Sequence, residues 1–180
     1  ILEGMEKSGI NQKIHSQLLY DLGLMTYKIT VNNIQNLGVH QIDKNKEVFM
    51  KARDYFQSSA EIFSELNDYN ALIQACMFIG NINGFLGDDE LFLEWYERAL
   101  NNAKKGKIHN SIVKTLKTII QKQSKLNLHD EKIGKIREFL SNTEELKFFD
   151  LYTIASFHQE LGKSLIKKGN IAEGLSEFIK

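Results

Sequence analysis

Catalysis and metal binding need side chains that can hold an ion, pass a proton or attack a carbon, and this sequence offers few of them in useful arrangements. Five histidines, His15, His40, His109, His129 and His158, are scattered so that no two stand three or four residues apart. That is the spacing by which one helix presents two imidazoles to the same ion. His158, Gln159 and Glu160 are consecutive, and on a helix consecutive side chains point in different directions. The single cysteine, Cys76, can close no intramolecular disulfide and no cysteine-based zinc cluster. Its place in an apolar helical stretch predicts a small core side chain. No glycine-rich loop follows a strand, and no nucleophile motif is present. The expectation is a chain that is not an enzyme and that carries no metal and no cofactor.

Packing explains the lysines least well. From Asn101 to Lys125 there are seven, Lys104, Lys105, Lys107, Lys114, Lys117, Lys122 and Lys125, and no acidic residue. The preceding segment opens on Asp88, Asp89 and Glu90. A helix dipole accounts for acids at a helix start and for Lys104 and Lys105 at its end. It does not account for Lys114, Lys117 and Gln121, which share one face opposite Ile112, Leu116, Ile119 and Ile120. A solvated face is the commoner meaning of such a run. The sharper reading is a surface that meets the carboxylates of a ligand.

The chain's 23 basic and 23 acidic residues cancel, which removes the global electrostatic reason to expect nucleic-acid binding. No apolar stretch approaches the roughly 20 residues of a membrane span, so no membrane association is expected. Glu3, Glu6 and Lys7 among the first ten residues do not suit a signal peptide, and a cytoplasmic location is expected. With no methionine at its start, the chain is expected to be part of a longer one.

The elements that position these residues read as helices. Phe49, Ala52, Phe56, Ser59, Phe63 and Leu66 step by three and four and form one apolar stripe. Boundaries fall at Gly, Asn and Asp, because the chain has no proline. Eight helices follow, at about 11–36, 44–66, 70–86, 89–104, 109–126, 130–140, 144–168 and 170–180. Their short connections, Gly87-Asp88 and Gly169-Asn170 among them, predict four antiparallel hairpins in one domain spanning 1–180.

Two segments repeat each other. Ile79-Gly80, Gly87-Asp88 and Tyr96 align with Leu161-Gly162, Gly169-Asn170 and Phe178, with the glycines 7 apart and the aromatic 9 further on in both. The first glycine lets two helices approach, the second ends a helix in the left-handed conformation, and the aromatic fills the groove between them. The offset is 82 residues, two units of about 41, and a weaker copy with Ala52, Phe56 and Ser59 lies 40 residues before Tyr96. The stretch 109–140 has lost nearly all of these marks. Leu22-Gly23 suits the start of a repeat, but 29 residues separate Gly23 from Ala52, so 31–43 reads as an insertion or as part of an extended hairpin.

These residues resemble the tetratricopeptide repeat, whose pattern joins a Leu-Gly, a later aromatic and a small residue followed by Phe. Phe92 and Gly174 stand where that family places a small alanine, and its closing proline is missing. Long, proline-free repeats of this kind resemble the repeat domains of peptide-sensing regulators of Gram-positive bacteria. The resemblance implies an all-α, right-handed superhelix whose first helices line a concave groove. On that frame Tyr20, Leu24, Tyr27, Gln74, Met77, Asn81, Gly84, Lys114, Lys117, Gln121, Gln159, Lys163 and Ile166 face the groove. Amides would pair with a peptide backbone there and lysines with its carboxylates. The expected function is peptide or protein binding, as the sensor of a cytoplasmic regulator. The alternative is a structural adaptor for constitutive assembly, and the array ends offer a route to a homo-oligomer.

Overall fold

The computed structural model describes residues 9–37 and 43–180. The readings made for the first eight residues and for 38–42, His40 among them, lie outside that range. Every regular element among the described residues is helical: α1 (Gly9–Leu37), a 3-10 turn (Asp43–Asn45), α2 (Lys46–Glu65), α3 (Tyr69–Phe85), α4 (Asp89–Lys105), α5 (His109–Lys125), α6 (His129–Ser141), α7 (Thr143–Leu146), α8 (Leu151–Lys167) and α9 (Ile171–Glu177). The class is all-α, as the periodicity predicts.

One expected helix does not form as a single piece. The stretch 144–168 is divided into α7 and α8, because Asp150 is extended (φ −70°, ψ 158°) and its carboxylate accepts the Thr153 backbone N–H at 2.6 Å. An Asp so placed starts a new helix. The last helix also stops short of the expected Lys180, with Phe178 as its cap.

The chain divides into two compact units, one ending at Ile108 and one beginning at His109. In the first, α1 packs on α2, α2 on α3 and α3 on α4. The expected stripe of α2 is its buried face, Phe49, Ala52, Phe56, Ser59, Ala60 and Phe63, while Leu66 forms the C-cap. Helix α3 is buried on nearly every side, from Leu72 to Asn83. In the second unit α5 packs on α6, α6 on α8 and α8 on α9.

The turns follow a strict count. Asn67, Gly87, Lys107 and Asn127 all have positive φ (54°, 82°, 53° and 59°), one every 20 residues, and Gly169 repeats the geometry at 88°. The next residue's N–H then reaches the carbonyl five positions back, as in Asp68 to Phe63, Asp88 to Asn83, Ile108 to Ala103, Leu128 to Gln123 and Asn170 to Leu165, each at 2.9 Å. That bond closes a helix in the Schellman manner. Helix plus turn is thus one 20-residue unit over the middle of the chain.

The glycine and aromatic pairs meet as the alignment predicts. A Cβ at Gly80 would lie 2.7 Å from the Tyr96 ring, and one at Gly162 would lie 3.2 Å from Phe178. Gly23, whose spacing fits poorly, makes the same contact with Phe56, at 3.1 Å. Its hairpin is longer because α1 has 29 residues where α3 has 17. At the corresponding places of the degenerate pair α5 and α6 stand Ile120 and Ile136, both buried.

Candidate functional site

Helix spacing brings some of the expected groove residues together and commits others to packing. Tyr20 lies edge-on to Phe56, Phe63 and Phe78 with centroids 5.4, 6.2 and 6.1 Å away. Tyr27 meets Phe78 at 5.2 Å. Burial pushes both phenols above their ordinary value. These rings join α1 to α2 and α3, with part of each left open to solvent. Asn81 accepts a hydrogen bond from the Tyr96 hydroxyl at 2.8 Å, and Tyr96 itself is pushed up to about 12, chiefly by burial. Gln74 is half-buried on the same helix. Met77, expected on the groove side, is buried instead, because α3 is enclosed by its neighbours, and Gly84 lies against the Phe92 ring.

In the second unit Lys114 and Gln121 are exposed and Lys117 is half-buried, opposite the buried Ile112, Thr115, Leu116, Ile119, Ile120 and Gln123. Lys117 Nζ stands 5.8 Å from the Phe157 ring centroid. Asp150 is held below the usual carboxylate range, mainly by its bond from the Thr153 N–H and to a lesser degree by the charge of Lys117. Gln159 lines a cavity of about 270 Å³ with Tyr152, Ser156, His158 and Glu177. Lys163 is exposed and binds Glu160 at 3.0 Å. Lys163 is therefore partly neutralised.

One cleft in the first unit was not legible from the sequence. A cleft of about 550 Å³ is walled by Gln57, Glu61, Ser64 and Glu65 of α2 and by Trp95, Arg98 and Asn102 of α4, with Leu72 and Cys76 of α3 as its floor. The helical steps of four from Glu61 to Glu65 and from Arg98 to Asn102 put each set on one face. That α2 and α4 flank the same stretch of α3 is a tertiary fact with no local signal. Arg98 lies over the Trp95 indole, 4.1 Å from the ring centroid, a cation–π contact. The Cys76 thiol is pushed up to about 11, chiefly by burial, so at neutral pH it is a protonated core side chain rather than a nucleophile.

Among the described residues no group of three or more His, Cys, Asp or Glu side chains could hold a metal. No helix among them is long and apolar enough to cross a membrane. No family model and no curated protein matches the chain. Among solved structures the fold is similar to the crystal structure of BtubC (BKLC) from P. vanneervenii, with a TM-score of 0.54 and 14% sequence identity over 92% of this chain and 70% of that one. At that identity the likeness is one of fold.

Proposed function

We propose that the chain is a non-catalytic peptide- or protein-binding domain, built as a tetratricopeptide-like, right-handed superhelix of about four hairpins. The observation that carries this reading is the cleft floored by α3. Its volume lies in the range of ligand sites, and its walls offer amides, carboxylates, a guanidinium and an indole. Such a lining suits an extended peptide, whose backbone and side chains present both signs of partial charge. The lysine face of α5, with Lys114, Lys117 and Gln121, is the surface proposed for acidic side chains. Gln159 and Lys163 of α8 and the open parts of Tyr20, Tyr27, Gln74 and Asn81 are proposed as further contacts. In a cytoplasmic regulator, a ligand that bridges hairpins would act by favouring one superhelical pitch over another. The adaptor reading uses the same surfaces for a constitutive partner.

Trp95 is the only tryptophan and lines the cleft, so binding there has a built-in reporter. Dodecapeptides selected by phage display on the immobilised chain should shift Trp95 emission saturably, and Glu61→Lys with Glu65→Lys should change which peptides bind. For acidic peptides, Lys114→Ala with Lys117→Ala should lower affinity at least about tenfold with little change in melting temperature, since a shielded charge-assisted contact is worth roughly 1.5–3 kcal/mol. Peptides that bind without moving Trp95 emission and without regard to Lys114 and Lys117 would place the binding surface elsewhere.

A further inference from the structure

Helix α1 packs a side of mainly small and polar residues within its unit and, among the described residues, leaves the opposite, apolar side exposed. Ser16, Gly23, Thr30 and Ile34 are buried. On the far side Ile14, Leu18, Leu22, Met25 and Ile29 are between 39% and 62% exposed. They step by four, four, three and four, so they form one straight stripe roughly 22 Å long. Asn11 bounds it at one end and Asn32 and Asn33 at the other. The exposed parts of these five side chains make a patch on the order of 500 Å², near the largest that a monomer leaves in water.

We propose that α1 is a homodimerisation helix, two copies pairing antiparallel through this stripe about a two-fold axis at Leu22. The stripe nearly maps onto itself when reversed. Ile14 and Ile29 lie equally far from a point just before Leu22, and so do Leu18 and Met25. An antiparallel copy therefore seats Ile14 on the other Ile29 and Leu18 on the other Met25, and brings the two Leu22 side chains together. This is the self-complementarity that a two-fold interface requires. Antiparallel pairing also opposes the two helix dipoles and keeps Lys13 and Lys28 away from their own copies, although it sets the two exposed Asp21 carboxylates on the same flank of the axis. The chain's zero net charge leaves no long-range repulsion between copies. With its polar flanks the contact would bury on the order of 600 Å² per copy, the small end for a specific dimer, so its dissociation constant should be roughly micromolar.

Sedimentation equilibrium of the chain should show a monomer–dimer equilibrium below about 100 µM. Met25→Glu adds a charge at an exposed position, and it should weaken association at least about tenfold while leaving helicity unchanged and, at concentrations below the dissociation constant, the melting temperature as well. Leu22→Cys should form an intermolecular disulfide under mild oxidation, and Met25→Cys alone should not. A mixture of Leu18→Cys and Met25→Cys chains should cross-link. Buried Cys76 stays in place, and the unmodified chain serves as the blank. A chain that is still monomeric at about 100 µM, or a dimer indifferent to Met25→Glu, overturns the proposal. Met25→Cys cross-linking as readily as Leu22→Cys overturns the antiparallel arrangement. Binding read by Trp95 does not depend on Met25, so failure here leaves the peptide-binding reading standing.

Discussion

Gly80 and Gly87 stand seven residues apart and are glycine for different reasons. A methyl group at Gly80 would lie 2.7 Å from the Tyr96 ring, which its hydroxyl ties to Asn81, so the ring cannot simply swing aside. At Gly87 the same methyl would meet nothing within 4 Å, but φ is +82°, where side chains with a Cβ are strained. Gly80→Ala should therefore cost about 2 kcal/mol through overpacking. Gly87→Ala should cost about 1 kcal/mol through backbone strain alone. Gly87→Asn should cost less than Gly87→Ala, because Asn67 and Asn127 already occupy the matching turns at φ 54° and 59°. Urea denaturation measures all three, and Asn proving as harmful as Ala at 87 would remove the strain argument. A related exchange explains two departures from the repeat pattern. Gly84 makes room for Phe92 in one hairpin, and Gly174 makes room for Ile166 in another. The small and large members have swapped helices at positions 82 residues apart, so the bulky Phe92 and the bare Gly174 are two solutions to one packing problem.

Among the elements, α5, α6 and α8 are joined by one polar knot. Lys132 is buried, with only 4% of its side chain exposed, and its Nζ donates to Ser124 Oγ at 2.7 Å and to Glu160 Oε2 at 2.8 Å. Burial pushes the Glu160 carboxyl up, but hydrogen bonds from Lys132 and Lys163 outweigh it and hold the group below its ordinary value. Glu177, bonded by Lys180 and by His158, is lowered in the same way against the opposing effect of burial. Two carboxylates with depressed folded-state values stabilise the fold above the ordinary carboxylate range and lose that contribution as pH falls through the depressed values. The second unit should therefore lose stability as pH falls below about 4. Glu160→Gln should remove part of that dependence and cost about 2 kcal/mol at neutral pH, because it strands the Lys132 ammonium, a penalty discounted for the partial exposure of Glu160. Lys132→Met should cost less, since Glu160 keeps Lys163 and some water. The reverse order in thermal melts at neutral pH would show that the buried ammonium is not the costly partner. Much at this scale was legible in the sequence. The α2 stripe, the Gly87 and Gly169 turns and the glycine–aromatic pairs all rest on contacts between residues close along the chain. The break at Asp150 was missed because Phe148, Phe149, Leu151 and Tyr152 read as a continuous apolar run, although Phe148, Leu151 and Tyr152 prove exposed. The cleft was missed because it depends on which helices stand side by side.

In the whole molecule the two units differ in the core each has to stand on. The first, ending at Ile108, buries Phe49, Phe56, Phe63, Trp95 and Tyr96 together with most of α3. Aromatic contacts carry α1 onto that core through Tyr20 and Tyr27. The second unit, His109–Lys180, buries two large aromatics, Phe139 and Phe157, among isoleucines and leucines. Its α9 has seven residues and contains Gly174. Glycine inside a helix costs about 1 kcal/mol relative to alanine, and a single core rarely stabilises a chain shorter than about 70–80 residues by more than a few kcal/mol. Stability should accordingly be uneven along the chain, with α3 the last element to open and α9 among the first. A fragment comprising residues 1–108 should melt cooperatively on its own. A fragment comprising 109–180 should be less stable and should lose its helicity first on acidification, through Glu160 and Glu177. Hydrogen exchange in the full chain should protect the amides of Ile73 to Ile82 at least about a hundredfold more than those of Leu175 to Glu177, a difference of roughly 2.7 kcal/mol in opening free energy. Equal protection of α3 and α9, with a 109–180 fragment melting at or above the temperature of 1–108, would mean that stability is shared along the array and does not reside in the aromatic core of the first unit.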